Sequence, residues 1–226
     1  MPLCLCVNLR THYVKPNSQI LDLIFTLHNA YFFKLYYQRH SSMLSLHFTP
    51  FPKLNTNRFV LRELTQNDAK EIFNLRSDTQ VNKFLDRDMA KSIDDAKKFI
   101  HTIQINVQKN NAILWAIAFN DQPGLVGTIC YWNISTENDT AEIGYEILPA
   151  FQRKGIMQEV FPEVIRYGFE KMKLQSIEAY TASENERSTR LLEKNSFILK
   201  GKLEPESHGS GTIHIYYLQN KTTRPS

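Results

Sequence analysis

The chain has 226 residues, 42% of them hydrophobic and 22% charged, which suits one packed globular domain with an appendage and is short for two full domains. Its net charge is +4; Arg10, Lys15, Lys34 and Arg39 against Asp22 place +3 of that in residues 1–42, leaving +1 from Met43 onward. A nearly neutral body without a basic stripe interleaved with aromatics speaks against nucleic-acid binding.

The three cysteines exclude a disulfide framework. Cys4 and Cys6 make at most half a metal site, and no second Cys/His pair stands at zinc-finger spacing. Cys130 lies in an apolar run, where it reads as a small buried hydrophobe. No metal is expected, and a reducing, cytoplasmic setting fits. Residues 19–37 are rich in Ile, Leu, Phe and Tyr, but Asp22, His28, Asn29 and Lys34 interrupt them. That is too polar for a membrane span of about 20 apolar residues, and no clean apolar core with a cleavage site marks a secretory signal. Patterned, cap-bounded elements begin only after Met43. The reading is an extension over residues 1–42, an overlong start among its explanations, and a functional domain over 43–226.

Arg58–Leu64 alternates as a strand, with Phe59, Leu61 and Glu63 on one face. Thr65 with Asp68 opens a helix carrying Ile72, Phe73 and Leu75; Ser92 with Asp95 opens a second, with Ala96, Phe99, Ile100, Ile103 and Val107 on one face. The runs 112–119 and 125–134 form a hairpin about the turn residues 120–124, and 140–148 is a third strand-like run. The helix after Gly155 carries Val160, Phe161, Val164, Ile165, Phe169 and Met172, with Pro162 expected to bend it. Strand 175–181 follows. Ser183 with Glu186 caps a short helix through Leu191 and Leu192, and Asn195 is its left-handed stop. Runs 197–203 and 212–218 close the chain as an antiparallel pair.

The stretch Gly144-Tyr-Glu-Ile-Leu-Pro-Ala-Phe-Gln-Arg-Lys-Gly-Ile-Met157 is the most informative. An apolar strand ends at Pro149, a basic loop with one Gly follows, and then a helix starts. Backbone N–H groups and the positive end of a helix dipole converge there, which suits a pyrophosphate. An ordinary strand–loop–helix junction is the plain alternative, since one Gly is a weak fingerprint. The missing Gly-Lys-Ser/Thr ending excludes a Walker-type loop.

Four segments then stand in a telling order: Asn57-Arg-Phe-Val-Leu-Arg-Glu-Leu64, Leu125-Val-Gly-Thr-Ile129, Ala141-Glu-Ile-Gly-Tyr-Glu146, and Asn185-Glu-Arg-Ser-Thr-Arg-Leu-Leu-Glu-Lys194 before Phe197. From about Leu54 to Leu218 the chain resembles the GNAT superfamily of acyl-CoA-dependent N-acyltransferases. It is most similar to the Rim-type (RimJ/RimL-like) branch, whose characterised members acetylate the N-terminal amine of ribosomal proteins. The resemblance implies an α+β, three-layer fold: a mixed, mostly antiparallel central sheet of about seven strands, flanked by about four helices and splayed between the fourth and fifth strands.

It also implies acetyl-CoA as co-substrate. Gln152, Gly155 and Met157 occupy the family's Gln/Arg-x-x-Gly-x-Gly/Ala positions; Met157 departs from the usual small residue, yet backbone donation by Arg153, Lys154, Gly155, Ile156 and Met157 survives a side chain that points away. Backbone groups of Ile147 and Leu148 would meet the pantetheine arm or the thioester carbonyl. Asn185 and Ser188 would touch the pantetheine and the sulfur. Glu142 is the candidate general base, or else a solvent-facing carboxylate. Many relatives place a Tyr where this chain has Leu192; the Rim-type alternative acid is a Ser, matched by Ser188, whose plain reading is a polar first-turn residue. Trp115, Tyr131 and Trp132 read as core before cleft wall, and His208 and His214 as peripheral.

The implied activity is direct transfer of an acetyl group to a primary amine through a ternary complex. The acceptor is open between a protein N-terminus and a small amine, with Asp78, Asp86, Asp88, Glu204 and Glu206 beside Lys83 and Arg87 on the acceptor-side segments. A non-catalytic acyl-CoA-binding module is the reading from another class. No membrane or nucleic-acid partner is expected, and the chain would act as a monomer or homodimer.

Overall fold

The computed structural model describes residues 44–85, 87–204 and 211–221, which fall in a unit running Met43–Ser226. The expectations for residues 1–42, Asp86, Glu206 and His208 lie outside the described residues. Eight strands form a single sheet in the order β1-β2-β3-β4-β5-β6-β8-β7. They are β1 (Leu54–Asn55), β2 (Phe59–Glu63), β3 (Ile113–Phe119), β4 (Leu125–Ser135), β5 (Thr140–Ile147), β6 (Ser176–Ala182), β7 (Ile198–Leu203) and β8 (Ile213–Gln219). The helices are α1 (Ala69–Ser77), the single turn α2 (Thr79–Asn82), α3 (Ile93–Gln108), α4 (Ile156–Glu170) and α5 (Glu186–Lys194). None of the described helices is long and apolar enough to cross a membrane. The strand beyond the expected seven is the two-residue β1, too short to leave a period in the sequence.

β3 explains the layering. Its seven residues are apolar on both faces, as a strand covered on both sides must be. Ile113, Trp115 and Ile117 face a core completed by Val160, Phe161 and Val164 of α4. Leu114 and Ala116 face the other way, onto Ile72 and Leu75 of α1 and Ala96 and Ile100 of α3. The stripes expected on α3 and α4 are therefore the two faces that sandwich the sheet. Trp115 and Tyr131 are fully buried, and the Tyr131 hydroxyl donates to Val164 O at 3.0 Å. Glu63 is exposed rather than on the buried face.

Capping follows the sequence in two places and departs in two. Ser92 and Asp95 form a reciprocal box, with Asp95 N–H on Ser92 Oγ at 3.2 Å and Ser92 N–H on Asp95 Oδ2 at 3.0 Å. Thr65 N–H donates to Asp68 Oδ2 at 2.8 Å, and Arg62 grips the same buried carboxylate through two bonds of 2.7 and 2.9 Å. At α5 the cap is Asn185, not Ser183: its Oδ1 accepts from Ser188 N–H at 3.3 Å. At the other end Ser196, with φ of 66°, takes the left-handed conformation expected of Asn195, whose φ is −95°. Phe197 N–H reaches back to Leu192 O at 3.0 Å, so the residue just before Phe197 has to make the turn. α4 runs unbroken through Pro162.

The functional feature of the sheet is a failed pairing. β5 pairs antiparallel with β4 through Gly127 and Ile147, but parallel with β6 only from Thr140–Ser176 to Glu142–Glu178. Beyond Glu142 the strands diverge, as expected, and the Tyr145 ring packs edge-on against Phe161 of α4 with centroids 5.2 Å apart. Gly127 sits opposite the open half of β5. A Cβ there would run into the backbone carbonyl of Glu146 and the Ile147 side chain, and a carbonyl in a ladder cannot step aside. Gly127→Ala is expected to cost about 1–3 kcal/mol in urea denaturation. Gly201→Ala, whose added methyl meets nothing nearer than Ile215 Cδ1 at 4.0 Å, is expected to stay within about 1 kcal/mol of wild type in the same assay.

Candidate active site

Backbone direction decides which groups reach the gap. Leu148 N–H donates across to Val126 O at 3.0 Å. Because amides alternate sides along an antiparallel ladder, those of Ile147 and Tyr145 point the other way, toward the space that β6 has left. Of Ile147 and Leu148, then, Ile147 presents its N–H to the gap, while that of Leu148 is committed to β4. The Ile147 carbonyl takes the Gln152 amide at 3.2 Å, and Gln152 Oε1 accepts from Arg187 at 2.9 Å. Gln152 thus braces the end of β5 against α5. A cavity of about 670 Å³ lies alongside, between Asn74, Asp78 and Thr79 at the α1–α2 corner and Leu148, Pro149 and Phe151 at the β5–α4 turn.

The loop from Gln152 to Met157 has an unusual backbone shape. Arg153 and Gly155 both adopt left-handed conformations, with φ of 61° and 73°. Left-handed residues alternating with others turn successive N–H groups toward one side. The first bond of α4 runs from Glu159 N–H to Gly155 O at 3.2 Å, so the N–H groups before it are those a helix's first turn leaves open. Ile156 is buried and Met157 packs into the core beneath the helix. The Met157 side chain therefore does point away from the loop. Arg58 fixes the loop from the far edge of the sheet: its guanidinium donates to Lys154 O at 3.3 Å and to Glu159 Oε2 at 2.7 Å. Thr56 Oγ1 and Arg58 N–H hold the other Glu159 oxygen at 2.7 and 2.8 Å. Sequence reasoning quoted Arg58 as part of a strand and missed this clamp, because partners about a hundred positions apart leave no local pattern.

Glu142 stands where the β5–β6 pairing stops, with Trp132 across on β4 and Glu178 beside it on β6. Burial pushes its pKa from 4.5 to about 7; a hydrogen bond from the Asn133 side chain works against this, and the negative Glu178 adds to it. Glu178 accepts from Tyr180 Oη at 3.0 Å and lies 3.4 Å from Lys200 Nζ. Farther along the same face, Arg87 grips Glu146 through two bonds of 2.6 and 2.8 Å. The carboxylate of Glu146 is thereby matched, and Arg87 is tied to β5 rather than free on the acceptor-side segment. Asp78 is spent likewise, capping α2 through Val81 N–H at 2.8 Å. Cys130 is half-buried, and burial pushes its thiol up to about 12, so it stays neutral.

Ser188 lies on the opposite face of the sheet from Glu142. Its N–H is held by the Asn185 cap, and its Oγ is 2.7 Å from Tyr145 Oη. Tyr145 is the residue the sequence concealed: it sits inside a quoted motif, but nothing there says that β5 will carry it against α5. His214, on β8, has its Nδ1 buried without a hydrogen-bond partner. Trp132 is half-buried, on the Glu142 side of β4.

Residues 58–198 match the family model of the acetyltransferase (GNAT) domain. Among similar proteins, the N-acetyltransferase YoaA of Bacillus subtilis is 36% identical over 162 residues, 72% of this chain and 92% of that protein. The ribosomal-protein-serine acetyltransferase of Escherichia coli is 27% identical over 150 residues, 64% of this chain and 81% of its own. Two solved structures share the fold. RimL, a ribosomal L7/L12 alpha-N-protein acetyltransferase in complex with coenzyme A, has a TM-score of 0.68 at 16% identity, covering 74% of this chain and 98% of its own. The microcin C7 self-immunity acetyltransferase MccE, in complex with acetyl-CoA and AMP, has a TM-score of 0.62 at 24% identity, covering 73% and 93%. Match, fold and the splayed strand pair agree: this chain belongs to the GNAT acetyltransferase family and is an N-acetyltransferase.

Proposed function

We propose that the chain moves an acetyl group from acetyl-CoA directly to the neutral form of a primary amine, within a ternary complex, and that the amine is a protein N-terminus or a small-molecule amine. The observation that carries this reading is the gap that opens beyond Glu142 and runs to the left-handed Gly155 at the start of α4. The coenzyme A and acetyl-CoA held by RimL and MccE support the donor. The ribosomal-protein activity in the name of the E. coli relative supports an N-terminal acceptor.

In this reading the loop N–H groups of residues 153–157, with the charges of Arg153 and Lys154, hold the pyrophosphate, and the Ile147 amide faces the thioester carbonyl as an oxyanion donor. Asn185 lies on the pantetheine path. Only an uncharged amine has the lone pair that attacks. An N-terminal amine, with a pKa of about 7.7–8.0, loses its proton readily at neutral pH, whereas a lysine at about 10.4 does not. Glu142, with its pKa near the working pH, takes that proton. Ser188 offers its hydroxyl to the sulfur as the C–S bond breaks. The catalytic unit is residues 43–226, with the family match beginning at Arg58; it works in the cytoplasm, as a monomer or homodimer.

Acetyl-CoA offered to the full chain and to residues 43–226, with a panel of Ser- and Ala-initiated peptides, polyamines and amino sugars, is expected to release free CoA with at least one amine in both forms. Release no faster than hydrolysis with every amine would defeat the acceptor reading, and activity confined to the full chain would defeat the domain reading.

Glu142 gives a paired pH prediction. Its folded pKa lies above the ordinary value, so the native state holds a proton that the unfolded state releases, and stability contributed by this group falls as pH rises through the window from about 4.5 to about 7. Glu142→Gln should therefore melt above wild type at about pH 8 while losing about a hundredfold in kcat/KM and the acid limb near pH 7. A variant that keeps the limb refutes the base.

For the loop, Gly155→Ala forces an L-residue into φ of 73°, at a cost of about 1–2 kcal/mol. It is expected to raise the KM for acetyl-CoA about tenfold and leave kcat within about twofold.

A further inference from the structure

We propose that Tyr145 is a positioning residue for departure of the thiol: it donates its phenolic hydrogen to Ser188 Oγ and so leaves the Ser188 hydrogen free to face the gap between β5 and β6. The inference rests on the reading of Ser188 as the donor to sulfur.

The two oxygens are 2.7 Å apart, a distance that fits either direction of donation. Surroundings decide between them. The Tyr145 ring is packed edge-on against Phe161, and Ser188 is its only hydrogen-bond partner among the described residues. If Ser188 donated, the phenolic hydrogen of this half-buried tyrosine would find no acceptor among the described residues, at a cost of up to about 1–3 kcal/mol. If Tyr145 donates, its requirement is met and the unpaired hydrogen is that of Ser188, on the helix that follows β6. Burial, partly offset by the bond to Ser188, pushes the phenol up to about 12, so it stays a donor throughout the neutral range.

Two links then fix one rotor. The Asn185 cap holds the Ser188 backbone at 3.3 Å, Tyr145 holds its oxygen, and what remains for the hydroxyl hydrogen is the direction into the gap. A lone serine on a first helical turn would spend part of its time bonded to its own helix. The position where many relatives carry a tyrosine is Leu192, which is fully buried here. The phenol is supplied instead from β5, on the strand that borders the gap. The chemistry balances without a further reagent. The C–S bond breaks with its electron pair going to sulfur, the new C–N bond forms, and the proton lost by nitrogen equals the one the thiol gains through solvent. Ser188 and Tyr145 both end in their starting states.

The test uses the full chain with acetyl-CoA and hydroxylamine, a small neutral nucleophile that needs neither acceptor recognition nor a base. Single-turnover formation of acetohydroxamate is followed for Ser188→Ala, Tyr145→Phe and the double variant. Ser188→Ala is expected to slow the step about a hundredfold and Tyr145→Phe about tenfold with KM for acetyl-CoA unchanged, the double variant being no slower than Ser188→Ala. A wild-type rate in Tyr145→Phe with a slow Ser188→Ala overturns the inference and leaves the Ser188 reading standing. A wild-type rate in Ser188→Ala removes both. Additive losses, or a raised KM without a slower step, reduce Tyr145 to packing and overturn it as well. Should Tyr145→Phe fail to fold, 3-fluorotyrosine at position 145, a stronger donor of nearly the same shape, is expected to speed the step in the wild-type background and not in Ser188→Ala. An equal effect in both backgrounds, or none in either, overturns the inference.

Discussion

β5 is bonded along its whole length to β4 but to β6 for only three residue pairs, and the site is built on that asymmetry. A parallel ladder continued to Ile147 would consume the amides of Tyr145 and Ile147 and close the sheet. Divergence leaves them unspent on a rigid edge, because the antiparallel partner still holds the other side of the strand. Side chains keep the two strands apart. Tyr145 lies against Phe161 of α4, Gln152 bridges from the Ile147 carbonyl to Arg187, and Gly127 lets β4 follow β5 closely enough to support it. The gap is a packed feature with walls rather than a frayed edge.

The second constraint is the shape of the loop that follows. Two left-handed residues in four are unfavourable for a free chain, above all at Arg153, which is not a glycine. The conformation persists because Arg58 and Glu159 over-determine it, one oxygen of Glu159 being held by Thr56 and Arg58 and the other by the Arg58 side chain. An exposed ion pair would contribute little alone. Here the geometry matters more than the energy, since it presents the first-turn N–H groups of α4 at the end of the same gap.

Charge on the Glu142 face is sorted by partner. Glu146 is neutralised by Arg87, Glu178 is shared with Tyr180 and Lys200, and Glu142 is left to burial and Asn133. Three carboxylates on one face of neighbouring strands are thereby left in different surroundings. On the other face the hydroxyls of Tyr145 and Ser188 stand 2.7 Å apart. In the proposed reaction the proton taken up by Glu142 and the hydrogen bond offered by Ser188 lie on opposite faces of the sheet.

Much was legible in residue order. The alternation of Phe59 and Leu61, the Ser92–Asp95 box, the α3 and α4 stripes and the wholly apolar β3 are local patterns with a local cause, and each became the element it predicted. Gly155 before a helix, Glu142 on its strand and Ser188 after Asn185 could be named for the same reason: motif positions are adjacent in the chain. The α5 boundaries slipped, from Ser183 to Asn185 and from Asn195 to Ser196; at the C-terminal end the turn residue is set by which carbonyl Phe197 reaches, not by which residue tolerates a turn. The Arg58 clamp, the Glu142–Glu178 pairing and the Tyr145–Ser188 bond were beyond reach of the sequence. Each joins residues from separate elements, and register, strand order and the face a side chain takes are settled only when those elements pack. The sequence by itself determined the elements and the loop that suits a phosphate; tertiary structure alone decided which groups are left free to act, because a hydrogen-bonding group is free only when its neighbours in space have no claim on it.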